Sequence, residues 1–146
     1  MRGYDAGKKT KGVKRHILVD TMGLLMAVMI LPADIQDRDG GLLLLGDQRG
    51  RWPRLQSVYA DGGYAGVLGI VVKTLCKWKL EIVPRRPDQK GFEVLPKRWI
   101  VERTFAWLDK CRRLSKDYER LVETSTALIH IAMTRLMLRN LCRASA

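Results

Sequence analysis

Two apolar runs stand two residues apart: "HILVDT" (16–21) and, after "MG", "LLMAVMILPA" (24–33). Runs this short, rich in branched side chains and closed by a proline, read as strands rather than helices. A Met–Gly turn between them leaves room only for an antiparallel hairpin. Asp20, just before that turn, reads as a turn-former. The chain is therefore committed to a sheet, and the rest must cover it. "DIQDRDGGLLLLGDQRGRW" (34–52) starts polar and becomes apolar, which predicts a helix over 37–47 capped by Asp34 or Asp37 and ended by glycines. "LQSVYAD" (55–61) predicts a third strand, "AGVLGIVVKTLCKWK" (65–79) a second helix and "LEIVPRR" (80–86) a fourth strand.

Two helical stretches close the chain. Residues 97–115 place Trp99, Phe105 and Leu108 on related faces. Residues 125–144, capped by Thr124 or Ser125, put Leu128, Ile131, Ala132, Leu136 and Met137 on an apolar face and Arg135, Arg139 and Arg143 on a basic stripe. Residues 1–15 read as a solvated basic loop. The order strand, strand, helix, strand, helix, strand, helices is an α/β pattern with a mixed sheet. At 146 residues, with no linker, the chain is expected to be one domain, 1–146.

Charge narrows the function. Lys plus Arg number 27 against 15 acids, a net +12. An excess of that size favours a polyanion, most often nucleic acid. No apolar stretch is long enough for a membrane span, and the basic N-terminus has no signal-peptide core, so a cytoplasmic protein is expected. Cys76, Cys111 and Cys142 lack CxxC spacing and read as buried free thiols rather than a zinc site.

Two acids stand out by position. Asp61 ends the third strand in "YADGGYAG" (59–66), and Gly62 and Gly63 let the chain turn there. Strand ends are where ligands collect in α/β sheets, although a "DGG" turn by itself is more often structural. Glu102 lies in the helix beginning near Lys97, with Arg98 one turn earlier. That pair reads either as a surface ion pair or as a metal-binding carboxylate with a phosphate-contacting or steering arginine. Two carboxylates sharing divalent cations would suit phosphodiester chemistry, but they are a thin cage and want a third.

The stretches "GYDAGKKTKGVKRHILVDTMGLL" (3–25), "PADIQDRDG" (32–40), "YADGGYAG" and "KRWIVERTFAWLDKCRRLSKDYER" (97–120) together resemble bacterial insertion-sequence transposases of the DDE class. The resemblance runs from Gly3 to about Leu141, and "ADGGY" with "ERTFAWL", whose acids are 41 residues apart, carries most of it. It implies an RNase H-like fold and a site of two aspartates and a glutamate that uses Mg2+ or Mn2+. The second aspartate falls on Asp61, the glutamate on Glu102 and the family's arginine on Arg98; Lys110 or Arg112 stands near a further basic position. The first aspartate belongs to a strand upstream of "GYDAGKK", and Asp20 matches a different position. The chain is thus expected to be an N-terminally truncated, C-terminal portion, either needing an upstream half for activity or a decayed remnant.

The implied partner is double-stranded DNA, at transposon ends and target, with the enzyme a homo-oligomer when active and associated with the nucleoid. Lys8, Lys9, Lys11, Lys14, Arg15, Arg85, Arg86, Lys110, Arg112, Arg113 and Lys116 are candidate phosphate contacts. Trp107 and Tyr118 could stack on an unpaired base, although core packing is the plainer role for Trp107. Competing classes are a non-catalytic DNA-binding regulator and a basic RNA-binding protein.

Overall fold

A computed structural model describes residues 2–84 and 97–144. The elements run β1 (Gly3–Asp5), β2 (Thr10–Val19), β3 (Leu25–Pro32), α1 (Asp37–Asp47), β4 (Ser57–Ala60), a 3-10 turn (Gly62–Tyr64), α2 (Leu68–Cys76), β5 (Lys79–Ile82), α3 (Arg98–Asp109) and α4 (Val122–Ala144). The antiparallel ladder β1-β2-β3, the parallel pair β4-β5 and the flanking helices are the mix of an RNase H-like α/β fold. The mixed pairing is divided between two ladders rather than gathered in one. The chain forms two compact units, one of residues 1–34 with 100–146 and one of residues 35–99.

In the first unit, β2 and β3 pair with His16 opposite Met29 and a bulge between Leu18 and Val19. Alternation puts His16 and Leu18 of β2 and Ala27 of β3 on one buried face, while Ile30, opposite Arg15, is buried on the other. The predicted basic loop is instead a small hairpin, with Gly3 opposite Gly12 and Asp5 opposite Thr10. None of its paired residues is buried, and most are polar or glycine, so they carry no apolar signal.

The turn between β2 and β3 is built by Asp20, as read from the sequence. One carboxylate oxygen accepts the amides of Met22 and Leu24, each at 2.8 Å, and Gly23 takes a left-handed φ of 78°. Helix α4 covers β3. Ile129 and Met133 join Ile30, Leu108 and Leu114 in a cluster with at most 5% exposure. Four residues of the predicted apolar face, Leu128, Ala132, Leu136 and Met137, pack against that cluster, whereas Ile131 is 65% exposed. Leucines, isoleucines and methionines occur all round this helix, so periodicity did not single out Ile129 and Met133 as its most buried residues. It also starts three residues before Ser125, which is buried inside it rather than capping it.

In the second unit, α1 has the predicted bounds but not the predicted caps. Gln36 is its N-cap, without a side-chain bond, and Gly40, Gly41 and Gly46 lie within it. The Val58 side chain of β4 and Leu68 and Val72 of α2 are buried, as are Leu44 and Leu45 of α1. Helix α2 ends at Lys77, whose φ of 60° makes it a left-handed cap of the kind glycine usually provides. Cys76 and Cys111 are half-buried and Cys142 is exposed, so none is the fully buried thiol expected.

Candidate catalytic carboxylates and their supports

Asp61 sits where β4 runs into the 3-10 turn. Its backbone is extended (φ −79°, ψ 178°), and its Oδ1 accepts the Gly63 amide at 2.9 Å. Its main-chain carbonyl accepts the Tyr64 amide at 3.1 Å. Asp61 is therefore a turn-former. It still keeps Oδ2, which takes no hydrogen bond among the described residues.

Helix α1 backs this turn. A Cβ placed on Gly63 would lie 3.3 Å from the Asp37 carboxylate, and one on Gly41 would lie 2.7 Å from the Tyr64 ring. So the Tyr64 ring lies against a glycine of α1, with Asp37 one turn earlier on the same helix. Burial pushes the Tyr64 hydroxyl up to about 12, and the negative charges of Asp37 and Asp61 push the same way. Asp37 read only as a possible helix cap, and Tyr64 read as part of a motif. Their meeting at Asp61 is a long-range contact that local patterns do not encode.

Before α3, the Lys97 ammonium lies 3.6 Å from the centre of the Tyr59 ring, two residues before Asp61. Arg98, half-buried, and Trp99 open α3 within the unit 35–99, whereas Glu102 belongs to the other unit. Glu102 is exposed, one helical turn after Arg98. Just past it, α3 is fastened to the hairpin turn. The fully buried Thr104 hydroxyl lies 2.8 Å from the Gly23 carbonyl and 3.0 Å from that of Ile100. Arg103 donates to the Met22 carbonyl at 2.8 Å and lies over the Trp107 ring. Gly23 cannot carry a side chain here, because a Cβ would stand 2.8 Å from the Thr104 hydroxyl. Trp107 is half-buried under Arg103.

The basic candidates divide by partner. Lys8, Lys9 and Lys11 are exposed around the β1–β2 turn, with Lys9 at a left-handed φ of 52°. Lys14 is 3.6 Å from Asp5, Arg113 pairs with Glu119, and Arg15 donates to the Leu114 carbonyl at 2.7 Å. Lys110, Arg112 and Lys116 are exposed, as is Tyr118. Arg85 and Arg86 lie outside the described residues.

Magnesium takes hard oxygen donors. Asp61 and Glu102 are donors of that kind. Among the described residues, though, no three His, Cys, Asp or Glu side chains are gathered to hold a metal ion. No helix among them is long and apolar enough to cross a membrane.

Residues 1–137 match the transposase DDE domain family. The chain belongs to that family. A Burkholderia cepacia protein, provisionally named as a transposase for insertion sequence element IS402, is 29% identical over 141 residues. The alignment covers 91% of this chain and 66% of that relative, just under two thirds of its length. No solved structure matches the chain significantly. The DDE transposase assignment implied by "ADGGY" and "ERTFAWL" therefore stands on the family match over most of the chain.

Proposed function

We propose that residues 1–146 form a single, partial catalytic domain of an insertion-sequence transposase, which cuts and joins double-stranded DNA using Mg2+ or Mn2+. The observation that carries this reading is the family match over 1–137, which extends through both compact units and includes Asp61 and Glu102. In this reading Asp61 and Glu102 donate carboxylate oxygens to the divalent cation. When bound, such a cation activates the attacking oxygen and stabilises the leaving one.

The chain's own residues hold these carboxylates in place. The Gly63 amide fixes one oxygen of Asp61 and leaves the other available. Thr104 and Arg103 fix the helix that bears Glu102. Arg98, one turn before Glu102, contacts a phosphate or steers that carboxylate. The third carboxylate comes from residues beyond the two named. We place that donor in an upstream half of the transposase, and the active species in a homo-oligomer at the nucleoid. The test is transposition of a marked element supplied with its complete transposase, comparing wild type with Asp61→Asn and Glu102→Gln. Each variant should abolish transposition and still bind duplex DNA. Undiminished transposition by either would remove that residue from the reaction.

A further inference from the structure

Helix α4 carries a cationic surface that none of the roles above uses. After Glu123, no acidic residue occurs as far as Ala146. Arg135, Arg139 and Arg143 recur at four-residue spacing, and all three are exposed. None of them has an ion pair or hydrogen bond among the described residues. Some cations of the same unit differ: Arg2 meets Asp117, Lys14 meets Asp5 and Arg113 meets Glu119.

The opposite side of the helix is already in use. Ser125, Ile129 and Met133 are 3%, 0% and 2% exposed. Two residues along an α-helix correspond to about 200° of rotation, so the Met133–Arg135 step crosses from core to solvent. The three arginines span about 12 Å at about 6 Å intervals. One strand of a duplex offers a phosphate about every 3.4 Å of axis, so the stripe covers roughly three of them.

Favourable interaction with the helix dipole accounts for Arg143, in the last turn, but not for Arg135 in mid-helix. Exposed Ile131, Leu138 and Leu141 share this helix and would suit a second copy of the chain. Self-association through them would, however, bring two rows of unpaired arginines together, which like-charge repulsion opposes.

We infer that the Arg135–Arg139–Arg143 face of α4 docks on the sugar-phosphate backbone of duplex DNA. The inference rests on DNA being the substrate, but not on Asp61 and Glu102 being the reacting centre. It is tested by fluorescence anisotropy of the 146-residue chain with a labelled 30-base-pair duplex across a NaCl series. Each neutralised phosphate contributes about 0.9 to the slope of log K against log salt. The triple variant R135Q/R139Q/R143Q should lower that slope by roughly two to three units. It should also weaken binding at least tenfold at moderate salt, with an unchanged thermal unfolding curve. R135K/R139K/R143K, which keeps the charge, should restore the slope.

An unchanged slope and affinity in the glutamine variant would overturn the inference, as would failure of the wild-type chain to bind the duplex. A change in sedimentation coefficient without a change in slope would assign the face to self-association instead. Tighter binding to duplex RNA of the same length would replace DNA as the occupant. Asp61→Asn should bind with the wild-type slope. If Asp61→Asn also transposed normally, the catalytic reading would fail while this one stood.

Discussion

Replacing Thr104 by valine isolates the contact that ties the Glu102 helix to the hairpin. Thr104 has no exposed surface, and its hydroxyl lies 2.8 Å from the Gly23 carbonyl. A hydroxyl carries one proton, and the shorter distance marks Gly23 rather than Ile100, at 3.0 Å, as its main acceptor. Valine has nearly the same shape, so no cavity opens and no packing is lost. What remains is a buried carbonyl facing a methyl group in place of its donor. Leaving such a group unpaired costs about 1–3 kcal/mol, against about 1 kcal/mol for losing an ordinary exposed bond. Urea denaturation followed by circular dichroism reads this as a lower midpoint at unchanged slope. Thr104→Ser, which keeps the hydroxyl, should recover much of the loss. A Thr104→Val midpoint within about 0.5 kcal/mol of wild type would refute the argument, because the bond would then contribute nothing that the arginine and tryptophan beside it do not.

Two other predictions concern the support of Asp61. Gly41 and Gly46 both lie in α1, where alanine is intrinsically better by about 1 kcal/mol. A Cβ on Gly46 meets nothing within 4 Å, so Gly46→Ala should stabilise, whereas one on Gly41 would come within 2.7 Å of the Tyr64 ring, so Gly41→Ala should destabilise. Thermal melts of the two variants moving in the same direction would contradict this. Tyr64 ionises at about 12 against an ordinary 10.0, so its neutral form is favoured by folding. Its contribution to stability is full below pH 10.0 and is lost as pH rises towards about 12. Ultraviolet difference titration should show a phenol ionising in this high range that disappears in Tyr64→Phe; a high-pH titration left unchanged by Tyr64→Phe would contradict it.

Much of the architecture could be read from local pattern, for identifiable reasons. The β2–β3 hairpin and the bounds of α1 follow from short apolar runs beside turn-forming residues. The β1–β2 hairpin escaped notice because its paired residues are mostly polar or glycine and none is buried. The apolar face of α4 was legible except at Ile131, but apolar residues surround the helix, and only the strand beneath shows that Ile129 and Met133 are its most buried residues. Helix α3 stops at Asp109, six residues short of the expected end, where turns through Cys111 and Leu114 take over. At the site, composition alone favoured a structural turn at Asp61, and the structure does make it one. The second role proposed for it rests on the family motifs. Tyr64 against Gly41, and Thr104 against Gly23, join residues far apart in sequence through a missing Cβ or a single hydroxyl. Such contacts leave no periodic trace.

The central claim is that Asp61 and Glu102 belong to the reacting centre of a DNA transposase. The most direct measurement is strand transfer by the complete transposase of the element on labelled element ends in Mg2+, with wild type, Asp61→Asn and Glu102→Gln compared at equal DNA occupancy. The account predicts joined product from wild type and none from either variant, at unchanged DNA binding. Joined product at the wild-type rate from either variant would contradict it.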